Sequence, residues 1–189
     1  LKLTETESGQ QQVVAGMLRI RDAQGNLIPL PELLNRGTGV NSRPESERAG
    51  IHSWSVIPGA VQLSVPRSRL TLEAFSGLST ELTRTEIDLA GKSSAEITLK
   101  LKRFADLSPE WKTANTHLHL MKLSREECDR YLQQIPAADR LDLVFVSYLE
   151  RAIADKTYIS NRYSQQDLQE LSRSAGVQFG WGEEHRHNS

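Results

Sequence analysis

Leu141-Asp-Leu-Val-Phe-Val146 is the stretch that decides how this chain folds. It is mostly apolar without clean alternation, as strands covered on both faces are. Upstream, Ser124-Arg-Glu-Glu127 is a capping box, in which Ser124 accepts from the N3 amide while Glu127 reaches back. A helix is expected to follow through about Gln134 and to be ended by Pro136. Before that helix, Thr113 to Met121 is a strand candidate. Downstream, Ser164-Gln-Gln-Asp167 opens a second helix with Leu168 and Leu171 on one face, and Gly176 is placed to end it. Val177-Gln-Phe179 is a further short strand. The order β-α-β-loop-α-β implies a parallel sheet or barrel over residues 113–189.

Residues 13–104 have a different period. Val13 to Ile20 forms an apolar-rich strand, Asp22-Ala-Gln-Gly25-Asn26 supplies turn chemistry, and Leu27 to Leu30 resumes an extended run. Pro31 to Gly50 fades into a long loop. Strand signals return at Ser53–Ile57, Val61–Val65, Leu70–Phe75, Thr83–Leu89 and Ala95–Leu101. Short alternating runs at such spacing predict an all-β sandwich. Residues 1–12 are read as a polar leader and 105–112 as a linker. The expected architecture is therefore two domains: a sandwich, then the first units of an α/β domain.

Hydrophobic residues make up 38% of the 189-residue chain, enough for a packed core. The net charge of −1, from 23 basic and 24 acidic residues, gives no electrostatic reason to expect nucleic acid or an anionic membrane as partner. The single cysteine, Cys128, excludes an intrachain disulfide. No apolar run reaches the roughly 18 residues that cross a bilayer. The chain starts at Leu1 and stops within the charged run Glu183–Ser189, so a fragment cut at both ends is expected, its α/β domain incomplete.

Asn115-Thr-His117-Leu-His119 is the most informative chemical motif. Residues i and i+2 of a strand share a face, so His117 and His119 would present two imidazoles side by side. Neutral imidazole suits Zn, Fe, Mn or Ni, and two on one rigid strand cost little ordering entropy to bring together. The same triplet also fits two polar residues on the wet face of an edge strand. A second cluster, Glu183-Glu-His185-Arg-His187, follows a predicted strand, where active sites of β/α folds are assembled. A carboxylate there could complete a histidine–carboxylate site or bridge two metals. Four of the five histidines fall in these two places, His52 being the exception. Cys128 has no histidine at helical spacing and reads as structural; Ser124 and Ser147 lack nucleophile-elbow glycines. Trp54 and Trp111 read as core or domain-interface residues rather than sugar platforms.

Thr-His117-Leu-His119 resembles the opening HxH motif of the PHP superfamily, and Gly182-Glu183-Glu184 resembles its Gly-x-Glu ligand motif. The stretch from Trp111 to Ser189 is most similar to CehA/McbA-type metallohydrolases, through Ser147-Tyr-Leu-Glu-Arg151, Tyr158-Ile-Ser-Asn-Arg162 and Gly180-Trp-Gly-Glu-Glu-His-Arg-His-Asn188. Residues 16–25 and the later strands resemble a transthyretin-like or carboxypeptidase-regulatory-like sandwich. The resemblance implies a PHP-type distorted β/α barrel with one to three divalent ions (Zn, Mn or Fe) that activate water against phosphoester or related ester or amide bonds of a small-molecule substrate. It implies His117 and His119 as first metal ligands, Glu184 as the Gly-x-Glu carboxylate with Glu183 beside it, and His185 and His187 only as further candidates. Asn115 stands where many relatives have Asp, and Tyr148 near their Thr-Asp-His. These departures, with the early stop, predict a chain that is catalytically incomplete by itself. The alternative is a non-catalytic carbohydrate- or protein-binding sandwich protein with a degenerate metal site. By analogy with secreted enzymes that carry such sandwiches, an exported location is expected.

Overall fold

The structure, a computed structural model, describes residues 1–7, 9–39, 50–104, 108, 110–120, 123–148 and 158–183, with Tyr148 and Glu183 described by backbone alone. The chain divides into two compact units, Leu1–Leu107 with Ala138–Arg140, and Ser108–Ala137 with Leu141–Ser189. Among the described residues the chain is mostly β-sheet, with two α-helices.

The first unit holds two sheets. A three-stranded sheet contains β1 (Lys2–Glu7), β2 (Gln10–Val14) and β8 (Thr98–Leu101), in the order β2-β1-β8. A five-stranded antiparallel sheet has the order β4-β5-β3-β6-β7, from β3 (Gly16–Asp22), β4 (Leu34–Asn35), β5 (Ser55–Ile57), β6 (Arg69–Phe75) and β7 (Thr83–Asp88). One core joins them: Leu3, Leu99 and Leu101 of the smaller sheet pack with Leu18, Ile20, Ile57, Leu70, Leu72 and Ala74 of the larger. Burying each such side chain contributes about 1.5–3 kcal/mol.

Three local expectations for this unit are corrected. The polar leader is a hairpin, in which β1 lies central in its sheet and Leu3 is fully buried. Leu3 is the one apolar side chain of Lys-Leu-Thr-Glu-Thr-Glu, too weak a pattern to signal a strand. The run Val13–Ile20 is two strands, because the chain changes sheets at Ala15. Gly16 permits that crossing: a Cβ there would stand 2.5 Å from the Phe75 carbonyl oxygen. Val61–Val65 alternates but is not part of a strand; Val61, Leu63 and Val65 pack on the core, and Val61 exchanges two backbone hydrogen bonds with Leu1, at 2.7 and 2.8 Å. Alternation there records burial rather than pairing. The turn after β3 forms as expected, with Asp22 Oδ1 accepting the amides of Gln24 (2.9 Å) and Asn26 (2.8 Å), and Gly25 at φ 85°.

The second unit is a three-stranded parallel sheet with the order β11-β10-β9, from β9 (Ala114–Leu118), β10 (Leu143–Tyr148) and β11 (Gln178–Glu183). Two helices, α1 (Arg125–Ala138) and α2 (Gln165–Ala175), connect them. Leu118, Val146 and Phe179 of the sheet share a core with Cys128 and Leu132 of α1 and Leu168 and Leu171 of α2. Both helices therefore cover one face of the sheet. The expected capping box at Ser124 forms, and the structure adds a second at Ser164. Ser124 Oγ accepts the Glu127 amide at 3.2 Å and Glu127 accepts the Ser124 amide at 2.7 Å. Ser164 and Asp167 do the same at 3.1 and 2.7 Å, and Gly176 ends α2 at φ 67°. Helix α1 is longer than expected, with Pro136 inside its last turn. The proline removes one amide donor there; the buried face of Cys128, Leu132 and Ile135 outweighs that loss.

Leu3→Ala should destabilise the first unit by about 2–5 kcal/mol, as a fully buried leucine does. Urea titration followed by amide exchange in β3 and β6 reads this, and an unchanged midpoint would return residues 1–12 to the role of a leader. Asp167 is held at about 2, below its ordinary 3.8, chiefly by the Ser164 hydroxyl and amide and further by Arg125. Its contribution is then complete above about pH 4 and fades as pH falls towards 2. Ser164→Ala should cost about 1 kcal/mol at neutral pH, and the gap to wild type should narrow over that acid window in urea melts followed at 222 nm.

Candidate metal centre at the carboxyl edge of the parallel sheet

Because β9, β10 and β11 run parallel, their carboxyl ends lie at one edge of the sheet. His117 is the penultimate residue of β9 and His119 follows its end. Their rings meet edge to face, with centroids 4.6 Å apart and planes at 83°. His117 is exposed and His119 half-buried, with Nδ1 of His119 shut off from solvent. Between Asn115 and Leu118 the pairing of β9 with β10 slips by one residue. Such bulges re-aim side chains. Asn115 Oδ1 supports this one by accepting the His117 amide at 3.0 Å.

On β10 and β11 the register sets Ser147 opposite Gly182 and Tyr148 opposite Glu183. The face turned away from the helices carries Phe145 and Ser147, against two glycines. A Cβ on Gly180 would stand 3.2 Å from the Phe145 ring, and one on Gly182 would stand 2.9 Å from Ser147 Oγ. Gly180-Trp-Gly182 thus leaves room on one face for its neighbours' side chains, while Trp181 between them is 58% exposed. The Tyr158 ring stands beside His119, with centroids 6.4 Å apart.

The backbone of Glu183 closes β11, two strand spacings of about 4.8 Å each from β9. Glu184, His185 and His187 lie outside the described residues. Among the described residues, no group of three or more His, Cys, Asp or Glu side chains is gathered as a metal cage. The described donor set is therefore the imidazole pair, a chemistry that fits Zn, Mn or Fe in part of a coordination shell.

Tyr158 entered the sequence reading only as part of a resembling stretch, and tertiary folding is what brings its ring beside His119. Other residues of the sequence sit elsewhere. Cys128 is fully buried, and burial followed by the nearby Asp129 and Glu127 charges pushes its thiol up to about 12, so it stays protonated and structural. Asp142 caps the start of β10, accepting the Thr113 amide at 2.8 Å and its hydroxyl at 3.0 Å. Trp54 packs edge-on to Phe75 at 4.8 Å, with the Arg19 guanidinium 4.3 Å over its ring. Trp111 is 72% exposed and is not a core residue. His52 lines a groove of about 320 Å³ in the first unit, between the Leu27–Leu33 segment and Ser53 and Ser55.

Gly182→Ala should displace Ser147 and cost about 1–3 kcal/mol, as overpacking does. Adding Ser147→Ala should recover part of that loss in paired urea melts, and independent effects would mean that the two residues do not share this space. Comparison with family models, with curated proteins and with solved structures returns no match.

Proposed function

We propose that the second unit is part of a PHP-type β/α domain, and that the protein is a metal-dependent hydrolase of phosphoester or related ester or amide bonds. The observation that carries this reading is the imidazole pair, 4.6 Å apart, at the carboxyl edge that β11 also reaches with Glu183. Two features of the fold support it. The strands follow one another in simple order, and both helices cover the same face. Successive β/α units of a barrel are arranged in this way, leaving the opposite face inward and the carboxyl edge as its mouth.

In this reading His117 and His119 hold a divalent ion, with Glu184 and its neighbour Glu183 as carboxylate ligands and His185 and His187 as further donors. When bound, such an ion lowers the pKa of water from 15.7 to about 7 and polarises the bond to be cut. The protein's own part is positional. The bulge held by Asn115 sets the His117 backbone, and the helix-side core fixes the strand beneath both rings. The competing reading, a binding protein with a decayed site, rests on Asn115 and Tyr148 standing where the resembling hydrolases carry acidic and histidine ligands.

Metal analysis of the whole purified protein decides between them. About one or more equivalents of Zn, Mn or Fe are expected, and His117→Ala with His119→Ala should remove them without loss of helical signal. A wild-type protein that stays metal-free after exposure to all three ions would favour the binding protein.

A further inference from the structure

We propose that Tyr158 is the oxyanion-binding residue of this site, its phenol donating a hydrogen bond to a phosphoryl group presented to the histidine edge. The proposal rests on the metallohydrolase reading and adds to it the group that would recognise the substrate.

Three observations place Tyr158 in that role. Its ring lies 6.4 Å from the His119 ring, inclined at 59°. It is half-buried, with an extended backbone at φ −63° and ψ 130°, at the start of the 3-10 turn Ile159–Arg162. That turn is pinned to the exit of the histidine strand. The Ser160 amide donates to the carbonyl of Leu120 at 3.4 Å, and Leu120 directly follows His119. Ile159 is buried in the core shared by Val146 and Leu168. The backbone that follows Tyr158 is thus anchored at Ile159 and Ser160, which lowers the entropic cost of ordering its ring.

The chemistry fits an anion. A phenol offers a single O–H donor. It can stand beside imidazoles that hold a cation without competing for the ion as a carboxylate would. Donors fixed in a partly desolvated pocket are the usual means of stabilising negative oxygens. A ring that merely packs on His119 would need no hydroxyl, and this difference is what the test uses.

Tyr158→Phe keeps the ring and deletes the donor. Wild-type and variant proteins are loaded with manganese, their metal content is measured, and inorganic phosphate is titrated into each by calorimetry. The expected result is unchanged metal content with phosphate affinity about tenfold weaker in the variant, the size of one hydrogen bond to a charged group. Equal affinities would reduce Tyr158 to a packing residue and overturn the proposal. So would a metal-loaded wild type that ignores phosphate, or a variant that loses its metal. A wild type that takes up no manganese, zinc or iron fails one step earlier; it removes the metallohydrolase reading and the role of Tyr158 with it.

Discussion

The parallel seating of β10 between β9 and β11 is the constraint on which the candidate site depends. Val144 and Val146 are fully buried, and Val146 shares the helix-side core with Leu118 and Phe179. Strand geometry then hands Phe145 and Ser147 to the other face. A slip of one residue in β10 would exchange these two sets, turning Phe145 and the Ser147 hydroxyl into the helix-side core in place of two valines. Register is thus fixed by the core and inherited by the site. Direction matters as much. An antiparallel β11 would carry Glu183 to the far edge, away from the histidines.

The segment from Tyr158 to Tyr163 is held by a second set of contacts, on the helix side. Tyr163 is buried and donates its hydroxyl to Asp129 of α1 at 2.7 Å. Burial, followed by that hydrogen bond, raises the Tyr163 phenol well above its ordinary value, so it remains a donor. Arg125 lies 3.9 Å over the same ring and pairs with Asp129 and with Asp167 of α2, each at 3.0 Å. One guanidinium therefore links the first turns of both helices across the turn between them. With Ser160 bonded to Leu120 near the other end, the segment has little freedom, and Tyr158 is delivered to the sheet edge by the same packing that closes the core.

What could be foreseen from sequence follows from how local each signal is. The capping box at Ser124, the helix start at Ser164, the helix end at Gly176 and the Asp22–Asn26 turn depend on residues within a few positions of one another, and each forms as expected. The pairing of His117 with His119 is local in the same sense, since it needs only the two-residue period of a strand. Strand β1 was not legible, because its place is decided by β8, nearly a hundred residues later in the chain, and only Leu3 marks the inward face. The alternation of Val61–Val65 was seen but misread, since side-chain burial and backbone pairing are separate requirements. Pro136 misled in the opposite direction, a strong local signal overridden by the buried face of α1. Tyr158 has no spacing that ties it to the histidines beyond a resembling stretch, and only the fold sets its ring beside His119.

Asn115 is where local geometry and the expected chemistry meet. The resemblance leads one to expect an acidic residue at this position. In the structure the side-chain oxygen at 115 accepts the His117 amide at 3.0 Å, holding the bulge from which the first imidazole projects. An amide oxygen accepts that hydrogen bond as a carboxylate oxygen would. Compared with an aspartate, asparagine lacks a negative charge at this edge but keeps the support of the strand. In the metallohydrolase reading proposed above, that difference in charge would set how strongly the edge attracts a cation, while the geometry of the histidine pair is kept. The proposed metal site would need that hydrogen bond, because two imidazoles on one strand can coordinate together only while the strand between them holds its shape.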